Sequence, residues 1–302
     1  VGEILHAAQQ RAKYLKSQIL PSEPTRAAKM IGEAAKELQL SFEELPSSSY
    51  TEAGVAELVM QAVALREIAH QYYLKSDSPF NAGHEQGYAA HCLETYAQPL
   101  VEQKIEGPVM GEDTPIDVLD KALHLRYRAI NLFRSRPISF EALAYELSYA
   151  GKALDFLRKN VAEFRTPEIV SRVISFRCEA ASLYEYKADS LDKDKHKTEK
   201  RKYYKEANFQ YCYLMRVFEE LAEADPRYYI QLAKSAVRAA STYKDRKGQP
   251  DLPKRIEAYE IAERGYRQAA RWSKGAEKDY YEKRAGEMIE MIERVRKKLP
   301  GQ

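Results

Sequence analysis

The chain has 302 residues, with 48 Lys and Arg against 45 Asp and Glu, a formal charge of +3. That near balance excludes the strongly basic character of a chain whose main partner is nucleic acid or an anionic membrane. Only 13 Gly and 13 Pro interrupt long segments rich in Ala, Glu, Lys, Leu, Arg and Gln, and no run of alternating β-branched residues is present, so helix is favoured over strand throughout. No segment approaches the roughly 20 apolar residues that span a bilayer. Cys92, Cys178 and Cys212 are odd in number and far apart, which fits a reducing compartment and predicts a cytoplasmic protein. The chain starts at Val1, so a leader removed upstream is compatible with that reading.

Breakers divide the sequence into about eleven helical segments, over 3–19, 25–40, 51–75, 82–105, 116–135, 139–164, 167–191, 198–224, 227–244, 254–273 and 276–298. Pro21 and Pro24 separate the first two, Pro46 with Ser47, Ser48 and Ser49 opens a loop, and Ser78-Pro79 ends the third. Gly107-Pro108 through Thr114-Pro115 is the strongest linker. It predicts an N-terminal helical bundle or set of capping repeats over 1–106, a linker over 107–115, and a repeat array over 116–302. Ser41 before Glu44, Ser139 before Glu141, and Thr166 before Pro167 and Glu168 read as helix starts, a hydroxyl cap followed by an acid in the first turn.

Further along, Ala222-Glu223-Ala224-Asp225-Pro226 closes one helix and opens the next, because Pro is tolerated in a first helical turn but not in an interior. On 227–244, Tyr229, Leu232, Ala233, Ala236, Val237, Ala240 and Tyr243 share one face and leave Gln231, Lys234, Arg238 and Ser241 on the other. Ala262, Tyr266 and Ala269 then fall on one face of the following helix, where small residues admit a neighbouring helix and the ring fills the space beside it.

This punctuation over 222–273 resembles the second helix of a tetratricopeptide-like repeat, and a looser likeness extends over 116–298. Helix pairs recur at intervals of about 50 to 60 residues rather than the family's 34 or so, and the full Trp, Leu, Gly and Tyr pattern of a first helix is absent. What the resemblance implies is an all-α stack of antiparallel helix hairpins, an α-solenoid whose concave groove receives a peptide or partner helix. The groove-facing residues so expected are Arg172, Arg177, Gln231, Lys234 and Arg238, with Tyr184 or Tyr186 as aromatic contacts. Arg and Lys on a preformed surface attract carboxylates, so an acidic or C-terminal peptide suits this set, and the expected role is a protein interaction scaffold or adaptor.

Two rival readings come from other residues. Glu67-Ile68-Ala69-His70 is a Glu-x-x-His element of the kind that supplies metal ligands in di-iron helical bundles, and Glu3-Ile4-Leu5-His6 repeats it. A hairpin turning near Ser78-Pro79 would set Glu67 beside His91 and His70 near His84, with Glu85 and Glu94 as further candidate ligands, giving a helical metalloenzyme. Between 192 and 205 the basic residues Lys200, Arg201 and Lys202 precede Tyr203 and Tyr204, a combination that could hold phosphates or stack bases. A solvated helix end explains the same composition. The 22 tyrosines suit both helix-seam packing and interface anchoring. There is no Gly-rich phosphate loop, His-Glu-x-x-His pair, Cys-x-x-Cys or nucleophile elbow, so no cofactor is implied and an enzyme is disfavoured. Cys178 and Cys212 read as inert thiols buried among apolar residues.

Overall fold

The computed structural model describes His6, Gln10, Lys13, Tyr14, Ser17 and residues 23–135, 139–192, 195–243 and 250–299. Among these it contains ten α-helices: α1 (Pro24–Glu43), α2 (Ala53–Lys75), α3 (Pro79–Glu102), α4 (Pro115–Ser135), α5 (Phe140–Asn160), α6 (Pro167–Ser190), α7 (Lys197–Ala224), α8 (Tyr228–Thr242), α9 (Leu252–Trp272) and α10 (Ala276–Arg296). The helix expected over 3–19 lies mostly outside the described residues. No named strand occurs among them, and no helix is long and apolar enough to cross a membrane.

The starts and stops have local causes. Pro opens α1, α3, α4 and α6, where its missing N–H costs nothing. The Ser139 side chain accepts from the Ala142 N–H, and the Thr166 hydroxyl accepts from Ile169. Thr114 and Asp117 exchange hydrogen bonds at the head of α4. The expected cap at Ser41 is not formed. That residue lies within α1 and its hydroxyl donates to the Glu37 carbonyl, so the helix continues to Glu43. After α2 and α3, Asp77 and Lys104 adopt positive φ while Ser78 and Ile105 donate back to Tyr73 and Leu100, which turns the chain sharply at each end.

The chain divides into two compact units, Val1–Val173 and Ile174–Gln302. In the first, α1 packs on α2, α2 on α3, α3 on α4 and α4 on α5. Connections no longer than residues 103–114 make these successive antiparallel hairpins. Residues 107–115 join two helices of this same unit: Tyr96 of α3 donates to the Val109 carbonyl at 2.8 Å, and Met110 pairs with Asp113 in a tight turn. The compact unit therefore runs well past the linker expected there. Two glycines one turn apart on α3 allow close approach. A Cβ at Gly83 would stand 2.7 Å from the Phe133 ring of α4, and one at Gly87 would stand 2.2 Å from the Glu146 carboxylate of α5.

In the second unit α7 packs on α8, α8 on α9 and α9 on α10. Ala233, Ala236, Ala240, Ala262, Tyr266 and Ala269 are buried together, with Tyr281, Met288 and Ile292 closing the core from α10. The small-and-aromatic faces read from the sequence thus do pack the helices. Each unit is a sequential stack of helix hairpins, the arrangement of helical-repeat proteins. Gly265 is where α9 meets α8 most tightly: a Cβ there would lie 3.0 Å from both the Ala233 Cβ and the Tyr229 carbonyl. Gly265→Ala is expected to destabilise this unit by about 1 kcal/mol, the overpacking outweighing the gain in helix propensity. Thermal unfolding together with amide exchange in α8 and α9 checks this.

Candidate functional site

On α8, which packs on α7 and α9, the burial extends to Ser235, Ala239 and Thr242. Asn208 of α7 donates to the Ala239 carbonyl and to the Thr242 hydroxyl, which explains the wider stripe. What remains exposed is the row Gln231, Lys234 and Arg238, together with Ser241, as expected from their spacing. Arg238 stands 3.8 Å from Glu185 of α6, and Glu185 also accepts from the Tyr211 hydroxyl at 2.6 Å. Tyr186 is 59% exposed in the same unit. Arg172 is exposed too, but it belongs to the first unit, where it hydrogen-bonds Tyr127.

Two of the expected groove residues are interior. Arg177 is 1% exposed; its Nη1 donates to Gln210 at 2.6 Å and its guanidinium lies 3.8 Å from the Tyr213 ring centroid. Tyr184 is buried and stacks on Tyr203 at 6.4 Å. Both therefore join α6 to α7 rather than face a ligand. The same stacking withdraws Tyr203 from any role as a base platform, while the Tyr204 hydroxyl donates to Asp189. Cys178 is exposed and Cys212 half-buried, its sulfur 3.0 Å from the Tyr243 hydroxyl, so the buried setting expected for these two belongs instead to Cys92. Burial pushes the Cys92 thiol up to about 12.

The Glu/His constellation is dispersed. His70 Nδ1 is 2.9 Å from the Ala82 carbonyl, Glu67 faces Arg128 of α4 at 3.6 Å, and His91 faces Glu43 of α1 at 3.7 Å. His84 packs between Phe80 and Phe133. Glu85 and Glu94 are each taken by an arginine. Among the described residues no three His, Cys, Asp or Glu side chains converge to hold a metal ion. The α2–α3 hairpin does form, but it points the four residues at different neighbours; Glu3 lies outside the described residues.

The first unit instead contains a buried charge network that the sequence reading missed. Arg126 of α4 is 1% exposed. Its Nε and Nη2 donate to the two Glu94 oxygens at 3.0 and 2.8 Å, and its Nη1 donates to Glu146 at 2.7 Å. The guanidinium also lies 4.8 Å from the Tyr149 ring centroid. One cation thus serves two anions. Glu94 receives the bidentate pair, and Glu146 receives a single bond. Burial raises the Glu146 carboxyl against the lowering influence of Arg126, and the Glu94 charge adds to the rise. Similarly, Arg66 donates to Glu85 at 2.9 Å, and burial raises Glu85.

Among the described residues, each unit forms a concavity. Between α3 and α5 a cavity of about 430 Å³ is lined by Phe80, His84, Tyr88, Tyr145, Glu141 and Glu146 among others. Between α9 and α10 a cleft of about 670 Å³ is lined by Arg267, Arg271, Lys278, Glu282, Ala285 and Ile289 among others. Trp272, next to Arg271, is 70% exposed.

No protein-family model and no curated protein matches the chain. Similar solved structures include BtubC from P. vanneervenii, with 12% identity, a TM-score of 0.44, and 100% of this chain and 92% of that chain covered. A circular tandem repeat protein with novel repeat topology has 14% identity and a TM-score of 0.41, with 98% and 64% covered. Nro1, a hypoxic regulator of sterol synthesis described as a nuclear import adaptor, has 12% identity and a TM-score of 0.32, with 93% and 98% covered. Likeness at this level assigns this chain neither activity nor partner.

Proposed function

We propose that the protein is a tetratricopeptide-like interaction scaffold whose second unit holds an acidic peptide or the acidic face of a partner helix. The observation that carries this reading is the charge of the surfaces α8 to α10 leave open. Lys234 and Arg238 stand on the uncovered stripe of α8, and Arg267, Arg271 and Lys278 line the α9–α10 cleft, where Arg267 is also paired with Glu263 and Lys278 stands 3.7 Å from Glu282. Arg271 also complements the negative end of α9, but Arg267 and Lys278 lie outside that last turn. Exposed Trp272 beside the cleft and exposed Tyr186 elsewhere on the unit supply residue types that dominate binding hot spots. Such sites take acidic segments through charge-assisted bonds at modest entropic cost, because the helices are already ordered.

The test is fluorescence anisotropy with a labelled Glu-rich amphipathic peptide. Lys234→Glu with Arg238→Glu, and separately Arg271→Glu with Lys278→Glu, are expected to weaken binding at least about tenfold, with helicity unchanged. Added salt should weaken it further. Unchanged affinity in both double variants, or equal affinity for a Lys-rich peptide of the same pattern, contradicts the proposal.

A further inference from the structure

The α3–α5 cavity has a different chemistry from the surfaces of the second unit. Phe80, His84 and Tyr88 succeed one another at four-residue spacing along one row of α3, and Tyr145 faces the cavity from α5. The His84 ring meets Phe80 edge-on at 4.5 Å and lies nearly parallel to Tyr88 at 6.1 Å, so the three rings form one continuous wall. Tyr145 is braced against Tyr149 at 4.5 Å, yet 44% of it remains exposed, as does 45% of Tyr88. These are aromatic surfaces held rigid by neighbours but still open to a ligand.

The carboxyl-bearing side chains reach the cavity itself, while the nearby arginines stand behind its wall. Among the side chains lining the cavity are two acids, Glu141 and Glu146, and no Lys or Arg. His84 adds none near neutral pH, since burial lowers its pKa below the ordinary histidine value. Behind the wall, Arg126 donates to Glu146 but is shared with Glu94, so two buried carboxyl groups share one cation. Arg66 stands 4.8 Å from the Tyr88 centroid and is itself bound to Glu85. At the mouth, the positive end of α5 is answered by the Ser139 cap and by Glu141 in the first turn. Aromatic faces attract a cation through their quadrupoles, and an alkylated ammonium sheds its water more readily than a small inorganic ion.

We propose that the cavity between α3 and α5, walled by Phe80, His84, Tyr88 and Tyr145 above the Glu141 and Glu146 carboxylates, binds an alkylammonium group. That group is carried either by a lysine side chain of a partner or by a free amine. Neither source depends on the acidic partner assigned to the second unit.

The experiment is an amide NMR titration of the full chain with choline, with the uncharged carbon isostere of choline, and with a short peptide containing one trimethyl-lysine. Choline is expected to shift α3 and α5 resonances and to bind at least about tenfold more tightly than the isostere, because only the cation gains from rings and carboxylates. Glu141→Gln, which preserves volume, and Tyr145→Leu should each weaken choline about fivefold or more, with unchanged helicity. Tighter binding of the peptide than of choline identifies a partner's side chain as the source, and the reverse order identifies a free amine. Equal binding of choline and isostere, shifts confined to other helices, or no shift at millimolar choline overturns the proposal.

Discussion

Replacing Arg126 by Met is expected to destabilise the first unit by about 3–5 kcal/mol at neutral pH. The guanidinium is buried and makes three hydrogen bonds to two carboxylates that are themselves almost fully buried. Methionine fills much of the volume but leaves Glu94 and Glu146 facing one another without a counter-ion. The variant's pH dependence distinguishes this cause from lost packing. The Glu146 carboxyl, already raised by burial, would then lose the lowering influence of Arg126 and rise further. The folded variant binds more protons than the unfolded chain, so its stability is greatest below about pH 4.3 and falls as pH rises through the raised value. The deficit relative to the parent should therefore shrink on acidification. In the parent, Glu146 and Glu85 already have raised carboxyls, so they add stability that is present at low pH and lost as pH rises through their folded values. Urea unfolding, read by amide exchange in α3 to α5 between pH 4 and 7, measures both. A loss below about 1 kcal/mol, or a deficit independent of pH, contradicts the buried-ion account.

Gly87→Ala is expected to cost the same unit about 1–3 kcal/mol although alanine is the better helix former. The added Cβ would lie 2.2 Å from Glu146 Oε1 and 2.8 Å from its Cδ, so either α3 and α5 part or the carboxylate swings off Arg126. A flexible surface acid would yield at little cost. Glu146 is held by its bond to Arg126 and has little room. The diagnostic is a double-mutant cycle with Glu146→Ala, which removes the obstructing atoms and leaves Arg126 paired with Glu94. The combined variant should be less destabilised than the sum of the two, by about 1–2 kcal/mol. Strict additivity would place the cost of Gly87→Ala elsewhere.

Helix positions were largely legible in the sequence because their signals are local: Pro at first turns, hydroxyl caps at Ser139 and Thr166, and the Asp225-Pro226 break all act within a turn or two. The Ala262, Tyr266 and Ala269 face was legible for the same reason. Neighbours three and four residues away also separate the groove residues that stayed outside from those that did not. Arg238 is flanked at these positions by Lys234, Ser235, Ser241 and Thr242, a largely polar row, and it is exposed. Arg177 is flanked by Val173, Ile174, Ala180 and Ala181, so its place in the interior was visible. Arg126 carries the same mark, with Ala122, Leu123, Ala129 and Ile130 around it.

The partners of these buried arginines were not visible. Glu94 is 32 residues from Arg126 and Glu146 is 20, and which helix faces meet depends on packing around Gly83 and Gly87. The Glu67, His70, His84 and His91 constellation failed on that same point. The hairpin was expected, but its rotation sends each side chain to a different neighbour. The aromatic cavity went unread because Tyr145 and Phe80 come from α5 and α3, helices separated in the chain by the whole of α4.

Amide hydrogen exchange of the full chain with and without a saturating Glu-rich peptide tests the scaffold reading most directly. Slowed exchange in α8, α9 and α10, with α3 to α5 unchanged, is the predicted result. No slowing at saturation, or protection confined to the first unit, would contradict it.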